Sequence, residues 1–129
     1  MCFQSFHLHV FLTSLPLPLA LTIFLLVDNA PTMLYSYEAD ENNENQSSSF
    51  VSEGSMAVFA VTPGEVMADV QTLWSSIHPD DLSTCLENHK MSFETLTNWE
   101  VTARHLVAGE YRVITSRSTP VRLPDGRTR

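Results

Sequence analysis

The sequence predicts an α+β fold in which two β-hairpins flank a run of short helices. Three observations carry that expectation. Met33–Glu38 alternates and is rich in aromatics, and with Ser49–Ser52 it frames a polar loop, the pattern of a hairpin. Thr62-Pro63 and His78-Pro79 each set a proline where a helix can begin, because its missing N–H has no intrahelical partner at the first position. Trp99–Leu106 and Glu110–Val121 are alternating runs joined by Ala108-Gly109, which reads as a second and longer hairpin. At 129 residues and 43% hydrophobic, the chain suffices for one small domain with a modest core.

Taken in order, the chain opens with an apolar stretch, Leu8 to Val27, in which only His9 can titrate. About 20 such residues could span a bilayer. No positive charge precedes it, as a secretory signal would require, and Pro16 and Pro18 interrupt a helix. Three readings stand: a membrane anchor, unrelated sequence fused upstream, or an extension that packs on the core. Asp40–Ser49 is polar and turn-forming, an exposed hairpin loop. Met56, Val58, Phe59 and Val61 begin the helical middle, and Thr62 with Glu65 forms a capping box for a helix over Pro63–Ala68. Leu73, Trp74 and Ile77 anchor the loop that follows. From Pro79 a helix runs to about Lys90 or slightly beyond, with Asp80 and Asp81 at the positive end of its dipole. Leu82, Cys85, Leu86, His89 and Phe93 recur on it at helical spacing, so that face is expected to be buried. Pro124-Asp125-Gly126 is a turn signal near the end.

Charge and cysteine content narrow the functional classes. The net charge is −8, and all seven Lys and Arg lie at Lys90 or later. No basic cluster exists to meet phosphates, which argues against nucleic acid. Cys2 and Cys85 offer neither a disulfide framework nor a C-x-x-C metal or redox motif, so a reducing, cytoplasmic compartment is expected, with membrane association through residues 8–27 left open. His78 beside Asp80 and Asp81 resembles a catalytic cluster, yet no nucleophile motif accompanies it and helix initiation explains it. No catalytic or metal-binding residue is assigned. Arg104, Arg112, Arg117 and Arg122 read as a basic face on the sheet, with Arg117 out of step.

Gly54-Ser-Met-Ala-Val-Phe-Ala-Val-Thr-Pro-Gly-Glu-Val-Met-Ala-Asp69, Ile77-His-Pro-Asp-Asp81 and the hairpin Gly109–Gly126 together resemble a PAS sensory domain of the type found in bacterial sensor histidine kinases. The resemblance spans residues 25–129, with 1–24 as an apolar extension. It implies a PAS-like antiparallel sheet with helices packed on one face. In that architecture the strand after the last turn is central, so the resemblance implies a domain truncated before its last strand, or one in which the apolar N-terminal segment fills the gap.

The function implied is a signal-input module of a sensor histidine kinase, acting by small-ligand binding or by dimerisation with itself or with other PAS or kinase domains. No enzyme activity is expected in this chain. On this resemblance His89, Trp74, Leu82 and Leu86 line the ligand cavity. No cofactor is the main expectation, and haem bound through His89 is the alternative, since some PAS domains take an axial ligand from this helix. A non-functional gene remnant is the other alternative.

Overall fold

The computed structural model describes residues 2–4, 16–29 and 32–129. Five strands form one sheet: β1 (Cys2–Gln4), β2 (Met33–Glu38), β3 (Ser47–Val51), β4 (Trp99–Val107) and β5 (Glu110–Ser118). The helices are α1 (Leu17–Asn29), α2 (Gly54–Phe59), α3 (Pro63–Ala68), α4 (Gln71–Trp74) and α5 (Pro79–Thr95). Spatial order in the sheet is β3-β2-β1-β5-β4. Both expected hairpins are present and antiparallel, Tyr35 facing Val51 in one and Ala103 facing Ile114 in the other.

The centre of the sheet is neither empty nor antiparallel. β1 lies between the hairpins and runs parallel to both, with Cys2, Phe3 and Gln4 opposite Met33, Leu34 and Tyr35, and Cys2 and Phe3 opposite Ser116 and Arg117. The N-terminal segment thus fills the gap, the outcome set against a bare pair of strand edges. The physical reason is the cost of the alternative: each unsatisfied backbone group there would forfeit about 1–3 kcal/mol. From the opposite end Thr128 enters the same line, bridging antiparallel to Ala39 and Arg122. Arg129 and Arg127 pair with Glu38 and pin that end down.

Local signals explain the helices. Thr62 Oγ1 accepts the Glu65 N–H at 3.2 Å while Glu65 Oε2 accepts the Thr62 N–H at 2.7 Å, the expected capping box. α5 begins at Pro79, and His78 caps it by accepting the Asp80 N–H on Nδ1 at 3.1 Å. Leu96 adopts a left-handed conformation with φ 54° and ends it. Gly54 is demanded by proximity, since a Cβ there would overlap the Thr32 carbonyl. α2 and α3 send Val58, Phe59 and Val66 onto Met33, Val51, Val107 and Ile114 of the sheet, so the helices cover one face.

The buried stripe of α5 differs from expectation. Cys85, Ser92 and Phe93 are buried, but Leu86 is 49% exposed. One residue on from Cys85 is a turn of roughly 100°, enough to carry Leu86 to the helix flank. Strand β5 also stops short of Val121, because Pro120 has no N–H to give a ladder. The arginines form no shared face: Arg104 binds Asp81, Arg112 donates to the Ala57 carbonyl, Arg117 pairs with Glu100, and Arg122 donates to the Gly126 carbonyl. α1 has 13 residues and crosses the expected boundary at residue 24. Among the described residues no helix is long and apolar enough to cross a membrane, and residues 8–15 of the candidate span lie outside them.

Because β1 is flanked on both sides, Phe3→Pro removes a backbone donor from the middle of the sheet. We expect it to lower unfolding free energy by about 1–3 kcal/mol, with faster amide exchange at Leu34 and Arg117. An unchanged denaturation midpoint would show that β1 does not hold the hairpins together.

Candidate functional site

The segment between α4 and α5 fixes the site. The His78 N–H donates to the Arg104 carbonyl at 2.8 Å, and the Leu106 N–H donates to the Ser76 carbonyl at 2.7 Å, so Ile77 bridges His105 on the edge of β4. Asp81, in the first turn of α5, accepts the Arg104 backbone N–H at 2.9 Å, its Nε–H at 2.9 Å and an Nη2–H at 2.8 Å. These bonds from the Arg104 side chain and backbone hold the Asp81 carboxyl well below the usual carboxylate range. With its N-terminus tied to β4, α5 lies over the sheet and roofs a half-open cavity of about 100 Å³.

Aromatic rings form a large part of the wall. Tyr35 and Tyr37 enter from β2, Trp74 from α4, His89 and Phe93 from α5, and Trp99 and His105 from β4. Ser116 and Ser118 of β5 and Thr128 are also in the wall. His89 is the hub: Tyr37, Trp74 and Trp99 meet it edge-on at centroid distances of 5.3, 5.1 and 6.1 Å, and Phe93 stacks on it at 6.0 Å.

Hydrogen bonding sets the two histidine tautomers. The Asn43 amide Nδ2 donates to His89 Nδ1 at 3.3 Å, which leaves the ring proton on Nε2. Ser76 Oγ spends its single proton on the Leu73 carbonyl at 2.7 Å, so it accepts from His105 Nδ1–H at 2.8 Å. The His105 lone pair is then on Nε2. Burial pushes the pKa of His89 down to about 4. His105 is also lowered to about 4 by burial, against partial opposition from the Asp81 charge. Burial raises the Tyr37 phenol. All three groups are therefore uncharged near neutrality.

On the cavity wall the buried Trp99 Nε1 and Thr128 Oγ1 have no hydrogen-bond partner among the described residues. Thr128 is only 1% exposed. Such groups carry a desolvation cost of about 1–3 kcal/mol each.

Of the residues named from sequence, the fold brings His89 and Trp74 together on the cavity wall. Leu82 and Leu86 are not on that wall but line a second, more open pocket of about 320 Å³, which Trp74 and His89 also line together with Asn43 and Gln71. Tyr37, His105, Ser116 and Thr128 were not named; strand alternation carries the signal for the first three, because Tyr37 follows Tyr35 by two, His105 falls between buried Ala103 and Val107, and Ser116 follows buried Ile114 by two. A haem does not fit. With Asn43 donating to Nδ1, His89 carries its ring proton on Nε2 and has no lone pair there for an iron. The space of about 100 Å³ is also well below the roughly 300–1,000 Å³ of pockets for drug-sized ligands. Among the described residues no group of three metal-binding side chains converges.

The family model described as PAS fold matches residues 48–129, more than half of the chain. No curated protein matches it.

Neutral burial of His89 and His105 makes stability depend on pH. Between pH 6.5 and about 4 the unfolded chain binds more protons than the folded one, so stability is complete above 6.5 and falls as pH drops through that window. We expect His89→Phe to reduce the loss of unfolding free energy between pH 7 and pH 5, measured by urea denaturation. An identical loss in the variant would mean that His89 is not held neutral.

Proposed function

The chain belongs to the PAS fold family, and on that premise we propose that it is the signal-input module of a sensor histidine kinase and responds to a small ligand held between α5 and the sheet. The supporting observation is the half-open cavity of about 100 Å³, walled by Tyr37, Trp74, His89, Phe93 and Trp99. Apolar pockets with a few convergent polar groups are where proteins hold small molecules. Its walls come from α4, α5, β2, β4 and β5 together, so occupancy would be felt by the helix and by the sheet. The chemistry of signalling then consists of packing: a ligand that fits one arrangement of α5 on β4 better than another shifts the balance between them.

A second reading, homodimerisation, draws on the outer face of the sheet. Leu106 and Tyr111 face each other across β4 and β5, and with Val113 they are 48%, 52% and 72% exposed. Contiguous exposed apolar side chains mark interaction surfaces.

The ligand reading is tested by titrating the ¹⁵N-labelled full chain with uncharged one-ring compounds. Amide and side-chain shifts are expected at Tyr37, His89, Trp99 and Ser116, and shifts confined to the outer surface would refute it. For the dimer, sedimentation velocity should show self-association that Val113→Glu weakens at least several-fold; a wild-type monomer at every concentration removes that reading.

A further inference from the structure

We propose that the cavity selects a small uncharged ligand of one ring bearing a hydrogen-bond acceptor, which the Trp99 indole N–H receives; this rests on the reading of the cavity as a ligand site. Three features of the wall carry the inference: its size, its lack of a free charge, and the buried indole donor of Trp99 that it leaves unused.

Size comes first. A dry apolar cavity of roughly 150 Å³ takes benzene. At about 100 Å³ this one admits a five- or six-membered ring with small adjustments of its side chains.

Charge is decided by what faces the space. His89 donates nothing from Nδ1, which is bound by Asn43, and His105 Nδ1 is bound to Ser76. Arg129 reaches the wall but its guanidinium is paired with Glu38. No charge in the wall is left over to meet an ion, and burying an ion without a partner is far costlier than burying a dipole.

The pattern of polar atoms supplies the last restriction. Ser48 Oγ donates to the Ser36 carbonyl and Ser92 Oγ to the Thr97 carbonyl, so both hydroxyl protons are spent. Trp99 Nε1–H can only donate, and it is buried with no acceptor among the described residues. Thr128 Oγ1, equally buried and without a partner, can donate or accept. A ring nitrogen or carbonyl oxygen placed against Trp99 relieves the orphaned donor, whereas a hydrocarbon ring of the same shape leaves it unsatisfied.

Pyridine and benzene are matched in shape and differ in the acceptor, and benzoate adds a charge. With the ¹⁵N-labelled full chain at neutral pH, pyridine should bind roughly ten-fold tighter than benzene, the worth of one buried hydrogen bond. The Trp99 indole N–H resonance should move downfield with pyridine alone, and benzoate should not bind. Trp99→Phe should bring pyridine and benzene to equal affinity. Should that variant fail to fold, the wild-type indole shift decides by itself. Benzene binding as tightly as pyridine, with the Trp99 resonance unmoved, overturns the acceptor rule while leaving the cavity a ligand site. Benzoate binding tighter than pyridine overturns the neutral class. Failure of all three to bind overturns this inference together with the reading beneath it.

Discussion

The docking of Ser76–Asp81 against β4 governs everything built around it. Two backbone bonds, from His78 to Arg104 and from Leu106 to Ser76, cover part of the open edge of β4, which would otherwise invite pairing with another chain. The Asp81 carboxylate then takes three N–H groups of Arg104. A bidentate guanidinium–carboxylate pair fixes direction as well as distance. It anchors the start of α5 at one point of the sheet, and the helix geometry does the rest. His89 stands eight residues further on, about 12 Å along the axis, where it meets the rings of Tyr37, Trp74 and Trp99.

The sheet beneath that helix is assembled from chain segments far apart in sequence. β2 and β3 form one hairpin, β4 and β5 another, and β1 joins them in the middle. Only three residues of β1 take part, yet each of its two edges pairs with a different hairpin. Tyr35, a cavity wall residue, lies opposite Gln4, and Ser116, another, lies opposite Cys2. The N-terminal strand therefore sets the spacing between the two sides of the cavity floor. Thr128 approaches from the other end, bridging Ala39 and Arg122. Cavity and sheet are one mechanical unit.

Much of this was legible because local chemistry dictated it. The capping box at Thr62 and Glu65, the proline at the first position of α5 and the Ala108-Gly109 turn each specify a boundary within a few residues. Ala108 and Gly109 both have positive φ, 50° and 83°, the conformation a two-residue hairpin turn requires. What stayed hidden was long-range. A three-residue strand has no periodicity to read, and its partners lie at Met33 and Ser116. Leu86 was misplaced because helical spacing defines a broad arc, and which edge of the arc is covered depends on the neighbour. At the site, His89 and Trp74 could be named from the helix and the loop. Strand alternation also marks His105, whereas Thr128 could not be named, because its place depends on Ala39, brought near only by folding.

The central claim is that Ser76–Asp81 and β4 form one cooperative unit with the core. Native-state hydrogen exchange of the His78 and Leu106 amides measures it directly, with the buried strand residue Ile114 as the reference. The account predicts that both amides open with the same free energy as Ile114, since α5 cannot leave the sheet without unfolding it. Exchange of His78 and Leu106 at the rate of an exposed loop, while Ile114 stays protected, would contradict it.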